Sequence, residues 1–306
     1  MHISIAGRLG SGKSTIAAIL KERYGFSVYS TGAIHREIAL SHKVSTLEMN
    51  NLMAHDLSYD HAIDDAVKRI SVEKANETII FDSRMAWNFA EHSFKVFVFV
   101  DPIIAAERVI LNQRGEEEYY RDIEDARAKL IERSKVENKR FIDIYGVDSF
   151  DYSNYNLIID STYISADEVA DIVMERFEEY LSLNTETNNI FMSPESLYPL
   201  VSAKDISDEM LSLYMADKDI ITDIVSIIEF DGYHYITDGN LKVLASALQK
   251  VKLIKVLMVN KRRFIEFESK DNLARNIKKA GMLVVHRFEE LGHFKYMSYP
   301  DWYFEK

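Results

Sequence analysis

The clearest chemistry in the chain lies at its front, in Gly7-Arg8-Leu9-Gly10-Ser11-Gly12-Lys13-Ser14, which has the spacing G-x-x-x-x-G-K-S. Gly7, Gly10 and Gly12 let a backbone fold closely around an anion, so that its N–H groups, that of Ser11 among them, turn inward. Lys13 can then reach terminal phosphate oxygens, the Ser14 hydroxyl can serve a divalent cation, and Thr15 is a further candidate for binding the nucleotide. Residue types in this order imply a cradle for the triphosphate tail of a nucleotide such as ATP, together with Mg²⁺. The loop by itself specifies binding and leaves open what is done with the phosphate.

A loop of this kind needs a strand ahead of it and a helix behind it, and the pattern supplies both. His2–Ala6 reads as a buried strand, and Lys13–Tyr24 as a helix with Ile16, Ile19 and Leu20 on one face. Phe26–Tyr29 reads as a second strand, followed by helical patterns over Thr31–Leu40, Thr46–Leu57 and Ala62–Ala75. Thr78–Phe81 and Lys95–Val100 are further strands. A helix opened by Pro102, a charged helix near Ile123–Ile144, a strand Leu157–Ile159 and a helix Ala166–Leu181 complete the set. Five strands alternating with helices predict an α/β domain over residues 1–183, a parallel sheet with helices on both faces.

Between Leu181 and Ile190 the apolar period gives way to Ser, Thr, Asn and Glu, which predicts a boundary. Residues 184–306 then read as a small α+β domain with a tail. It has a loop with Pro194 and Pro199, a helix around Ser207–Met215, a hairpin of Ile224–Phe230 and Tyr233–Thr237, a helix Leu241–Ala247 and a strand Ile254–Val259.

Composition narrows the function further. The 306 residues, 47% of them hydrophobic, suffice for two cores. With no cysteine, thiolate zinc sites, iron–sulfur clusters and cysteine nucleophiles are excluded, and the nine histidines form no cluster at ligand spacing. No apolar run has a membrane helix's length and no leader precedes the first strand, so a cytoplasmic protein without membrane contact is expected. A net charge of −12 argues against a protein that coats nucleic acid over its whole surface. The charge is uneven, however: 186–240 is strongly acidic and 241–287 strongly basic.

No Asn-Lys-x-Asp base-reading motif occurs in residues 1–185, which argues against a GTPase. A compact domain rich in late arginines suits a small-molecule kinase, where catalysis is mostly charge stabilisation on a moving phosphoryl group. Five segments in order also carry a resemblance. They are Gly7–Thr15; Ser30-Thr31-Gly32-Ala33-Ile34-His35-Arg36; Ile80-Phe81-Asp82-Ser83-Arg84-Met85-Ala86; Arg133-Ser134 with Glu137, Arg140, Phe141 and Tyr145–Asp148; and Leu157–Asp160. Together they resemble the cytidylate kinase family, above all its archaeal-type branch, over nearly all of residues 1–180.

That resemblance implies a nucleoside monophosphate kinase that moves the γ-phosphoryl of ATP to CMP or dCMP with Mg²⁺. Thr31 and Arg36 would hold the acceptor phosphate. Asp82 would serve the metal's water shell or the acceptor, and Arg84 would grip the acceptor. The family usually has Gly where Ser83 stands. Arg114, Arg121 and Arg127 flank a stretch that reads as a mobile lid, and Arg127 and Arg133 are the expected catalytic arginines beside Lys13. Asp160 and Ser161 would either face adenine or simply cap their strand, and Trp87 would border the acceptor pocket. Two other readings stay open: a kinase of a modified nucleotide or small alcohol, and a nucleotide-gated DNA-binding or partition-like protein.

Residues 190–260 resemble, more weakly, the ParB/sulfiredoxin-like domain. The carriers are Ser193-Pro194, Leu197, Pro199, the hairpin Ile227–Ile236, and Asp238-Gly239-Asn240-Leu241-Lys242. Active relatives place His or Arg where Asn240, Leu241 and Lys242 stand, so the resemblance implies the fold with degenerate chemistry. Three roles follow as alternatives. They are positioning or homodimer formation, nucleotide or nucleic-acid binding through 241–287, and a second enzymatic activity.

Overall fold

The first strand of the sequence becomes the middle strand of a parallel sheet. A computed structural model describes residues 1–32, 43–44, 48–49, 52, 58–112, 119–183, 187–200, 207–216, 225–230, 232–259 and 284–300. In it, β1 (His2–Gly7) is buried at every position. The chain divides into two units, Met1–Asn188 and Asn189–Lys306.

In the first unit, α1 (Lys13–Tyr24) follows β1 and ends at Gly25 in the left-handed conformation. Next come β2 (Ser27–Ser30), α2 (Ser58–Glu73), β3 (Ile79–Asp82), the short α3 (Ala86–Phe89) and β4 (Ser93–Phe99). The series closes with α4 (Pro102–Leu111), α5 (Ile123–Tyr145), β5 (Leu157–Asp160) and α6 (Ala166–Leu183). The strands are ordered β2-β3-β1-β4-β5, and every pair is parallel. Ile3, Ile5, Val96 and Val98 are wholly buried, each such side chain contributing about 1.5–3 kcal/mol.

Helix ends follow local chemistry. Asp101 caps α4 by accepting from Ile103 N–H at 2.8 Å, with Pro102 supplying the preset first turn. Asp122 caps α5 through Asp125 N–H at 2.8 Å, and Gly146 ends it with φ 69°. The expected helices over Thr31–Leu40 and Thr46–Leu57 fall almost wholly outside the described residues. α2 starts four residues earlier than the period suggests, at Ser58, which brings Asp60 into the helix.

In the second unit, the segment expected to be a loop with Pro194 and Pro199 instead carries two strands, β6 (Asn189–Met192) and β7 (Leu197–Pro199). Proline lacks an N–H and is tolerated here because β7 is an edge of its unit's strand order, β6-β10-β8-β9-β7. The remaining elements are α7 (Asp208–Met215), β8 (Val225–Phe230), β9 (Tyr233–Asp238), α8 (Asn240–Leu248) and β10 (Ile254–Met258). β8 and β9 form the antiparallel hairpin, with Asp231 at its turn outside the described residues. Residues 284–292 of the expected tail are helical. The basic residues 261–279 lie outside the described residues.

The end of β1 is sterically closed. Gly7 has φ 141°, and a Cβ there would come within 2.2 Å of the Val98 carbonyl oxygen on β4. Gly7→Ala is therefore expected to destabilise the protein by about 3 kcal/mol, from strain and overpacking together. Denaturant unfolding checks this, and an unchanged midpoint contradicts it.

Candidate active site

The glycine-rich loop is clamped rather than merely tethered. Arg8 N–H donates to the Val98 carbonyl at 3.0 Å. Gly10 lies so close to α4 that a Cβ would meet Ala105 at 2.8 Å. From β5, the Ser161 hydroxyl donates to the Phe99 carbonyl at 2.9 Å, with the Ser11 carbonyl 3.1 Å away. Three elements distant in sequence thus fix one loop, and its amides need no large rearrangement to meet an anion.

At the loop's end, Lys13 donates to the carbonyls of Arg8 (2.7 Å) and Gly7 (3.1 Å). The Ser14 hydroxyl donates to Asp82 Oδ2 at 2.7 Å, and the Ser30 hydroxyl to the same oxygen at 3.0 Å. A hydroxyl and a carboxylate in contact beside a phosphate loop are hard oxygen donors. This fits Mg²⁺, which takes one or two protein oxygens and fills its other positions with water and phosphate. Among the described residues no group of three or more Asp, Glu or His forms a separate metal cluster.

These residues line a cleft of about 590 Å³, within the size range of small-molecule sites. Gly10, Gly12, Lys13, Ser14, Thr15, Thr31, Asp82, Arg84 and Arg133 all border it. Arg84, just past β3, is ion-paired with Glu137 of α5, and Arg133 Nε donates to Glu137 Oε1 at 3.0 Å. Glu137 is 3% exposed, so one buried carboxylate holds two guanidinium groups.

One turn further along α5, Arg140 stands 3.4 Å from Asp60 Oδ1 of α2. Beyond it, the Tyr145 hydroxyl donates to Asp64. Burial raises the Asp60 carboxyl above its ordinary value, with Arg140 pulling it back. Burial also lifts Asp64 to about 6, against the opposing donation from Tyr145. The same burial pushes the Tyr145 hydroxyl upward, as does Asp64.

Not every expected residue comes to the cleft. Arg127 does not line it, because it sits one turn nearer the start of α5 than the stretch that does; it lies 3.6 Å from Glu124. Arg121 pairs with Asp125 on the surface at 3.1 Å. Gly7 and Ser11 support the loop from behind and do not border the cleft. Asp160 accepts from Thr162 N–H at 2.9 Å, which is the strand-capping alternative. Trp87 is 4% exposed, packs on Tyr155 and stays out of the cleft. Arg36 and Arg114 lie outside the described residues.

Other lining residues had no role in the sequence reading. Arg108 donates to the Ser161 carbonyl at 2.7 Å, and burial lowers its pKa. Its signal was available in the face Ala105, Arg108, Val109 and Asn112 of the helix that Pro102 opens. Asp60 and Asp64 are an i,i+4 pair, legible only once α2 is started before Ala62. Arg140 stood in a quoted motif, at i+7 from Arg133 on the same face.

A triphosphate cradle, a hydroxyl–carboxylate pair and a wall of guanidinium groups in one α/β cleft define a P-loop phosphotransferase. The profile of the cytidylate kinase-like family matches residues 2–163, just over half of the chain, and the chain belongs to that family. It is 29% identical over 179 residues to a cytidylate kinase of Methanoregula boonei, covering 58% of this chain and 95% of the relative. To a cytidylate kinase of Thermoplasma volcanium it is 33% identical over 183 residues, covering 58% and 92%. It is also 29% identical over 178 residues to an S-adenosylmethionine-dependent nucleotide dehydratase of Lacinutrix mariniflava, covering 58% of this chain but 36% of that protein.

The Asp64 environment generates a pH prediction. A carboxyl raised in the fold contributes stability that is complete below its unfolded pKa and is lost as pH rises through about 6. Asp64→Asn keeps an acceptor for Tyr145 and removes that titration. Between about pH 4 and pH 7 the parent should lose roughly 1 kcal/mol of unfolding free energy relative to the variant, a value reduced for solvent screening. Parallel stability–pH curves contradict the assignment.

Proposed function

We propose that residues 1–183 transfer the γ-phosphoryl of ATP to CMP or dCMP. One observation carries the reading. A single cleft is lined both by Gly10, Gly12, Lys13, Ser14 and Thr15 of the loop and by Thr31, Arg84, Arg133 and Arg140, groups suited to a second phosphate. Two anions held in one water-poor space is the requirement for phosphoryl transfer by positioning and charge stabilisation.

In this reading an oxygen of the acceptor's phosphate forms the new bond to the γ-phosphorus as the bond to the ADP oxygen breaks. The loop amides orient the donor. Lys13 turns its ammonium from the Gly7 and Arg8 carbonyls to the phosphate oxygens, and Arg84 holds the acceptor. Arg133, with its geometry set by Glu137, stabilises charge on the group in flight. Ser14 would hold Mg²⁺ directly and Asp82 would hold it through water; when bound, that ion neutralises charge on the triphosphate.

For residues 184–306 we propose the ParB/sulfiredoxin-like fold in a positioning or dimer-forming role. The support is the segment Asp238-Gly239-Asn240, where α8 begins at a left-handed Gly239 (φ 91°) and the family's His or Arg positions hold Asn240, Leu241 and Lys242. Light scattering on the full chain tests this role. A dimer that persists at low concentration supports it, whereas a strict monomer removes the dimer-forming half.

A coupled assay over all nucleoside and deoxynucleoside monophosphates should show CMP or dCMP as the fastest acceptor, and a faster alternative acceptor contradicts the assignment. Lys13→Ala should lower kcat by at least about 10²–10³-fold, the scale of losing one charge-stabilising donor. Its thermal melting curve should be unchanged. Undiminished turnover in this variant removes the mechanism.

A further inference from the structure

Ser30, the last residue of β2, has no part in the phosphate chemistry described above, yet its hydroxyl donates to Asp82 Oδ2 at 3.0 Å. The sheet makes this contact. Ser30 and Asp82 are partners in the parallel register of β2 and β3, and paired residues of neighbouring strands turn their side chains to one face. From the first turn of α1, the Ser14 hydroxyl donates to the same oxygen at 2.7 Å. Asp82 is 6% exposed and borders the cleft. Both donations fall on Oδ2, and among the described residues none is made to Oδ1.

Two donors on one oxygen have a directional consequence. The terminal torsion of an aspartate is soft, so a single hydroxyl leaves its carboxylate free to turn. Donors that arrive together from β2 and α1 restrict that turn. Ser14 is poorly suited to do this alone, because its hydroxyl is also the group that would meet Mg²⁺ and carries a single proton. Ser30 has no such second duty: it does not border the cleft, whereas Thr31 and Gly32 directly after it do. A side chain outside the cleft thus holds one that lines it.

We propose that Ser30 is a positioning residue for the metal, its hydroxyl fixing the plane of the Asp82 carboxylate so that Oδ1 is left to ion-bound water and Oδ2 orients the Ser14 hydroxyl. The inference rests on the Mg²⁺-dependent kinase reading and gives part of the ion's affinity to a residue that touches neither ion nor phosphate. Groups that orient a metal's ligands without meeting the metal typically change affinity by about 10- to 100-fold when removed.

The test reads the ion rather than turnover, on the full chain, with Mn²⁺ as the probe. A non-hydrolysable ATP analogue is saturated with protein, Mn²⁺ is added, and the free ion is measured by its paramagnetic resonance signal. In Ser30→Ala the dissociation constant for Mn²⁺ should rise about 10-fold or more. The analogue's affinity in EDTA should stay within about twofold of the parent's, since the loop amides that hold it are not coupled to this hydroxyl. Ser30→Thr keeps the hydroxyl and suits a strand, so its Mn²⁺ affinity should remain within about threefold of the parent's.

Unchanged Mn²⁺ affinity in Ser30→Ala overturns the assignment and leaves the kinase reading standing. So does a loss in Ser30→Thr as large as that in Ser30→Ala, because the hydroxyl would then not be the cause. A Mn²⁺ spectrum in the parent complex identical to that of the ion with the analogue alone overturns both this proposal and the metal roles of Ser14 and Asp82. Phosphoryl transfer is scored separately, and its absence with every monophosphate overturns the kinase reading itself. Should Ser30→Ala not fold, Ser30→Cys, similar in volume but a weak donor, decides: parent-like Mn²⁺ affinity overturns the proposal and weakened affinity supports it.

Discussion

The cleft depends on one electrostatic constraint: guanidinium groups must be concentrated where polyanions meet, and they repel one another unless carboxylates are set between them. Glu137 meets this constraint for Arg84 and Arg133, and Asp60 does so for Arg140. Each carboxylate is at least nine-tenths buried, where the interaction is only weakly screened. Removing one partner leaves an uncompensated buried charge, which typically costs 3–5 kcal/mol, so these pairs organise the cleft more than they stabilise the fold. A chain of net charge −12 can thereby hold five cationic side chains around one cleft.

The phosphate loop obeys a second constraint, steric rather than electrostatic. Its amides are useful only if they are already pointed inward, and an unsupported glycine-rich segment would lose that order to backbone entropy. β4 closes on Gly7, α4 closes on Gly10, and Ser161 after β5 reaches the Ser11 carbonyl. Arg108 joins the brace to the cleft by donating to Ser161 while bordering the cavity.

The second unit also uses a buried charge. Glu289 is 1% exposed and receives donations from Lys295 (2.7 Å), the Tyr296 amide (3.1 Å) and the Tyr299 hydroxyl (2.5 Å), with His286 Nδ1 3.0 Å away. Burial alone would raise this carboxyl, but the donors outweigh it and hold it below its ordinary value. The Tyr296 hydroxyl bonds the Leu197 carbonyl at 2.6 Å, so the end of the described chain is anchored to β7. Structure here comes from tertiary hydrogen bonds that no local motif announces.

What the amino-acid order determined unaided was local: the glycine–lysine loop, α1 from Lys13 to Tyr24, the apolar strands, and the helical face shared by Arg133, Glu137 and Arg140. Each follows from contacts a few residues apart, where spacing and side-chain type are sufficient. The tertiary structure decided the rest. Asp60 meets Arg140, Arg84 meets Glu137 and Ser161 meets Ser11 only because crossing elements bring distant segments together, in the last case over 150 positions. Arg127 and Arg133 looked alike as isolated arginines and were separated by which turn of α5 reaches the cleft. Pro194 and Pro199 suggested a loop because proline's cost is local, whereas its tolerance on β7 depends on that strand lying at an edge. Short-range sterics write elements into a sequence; the pairing of buried charges exists only after those elements have packed.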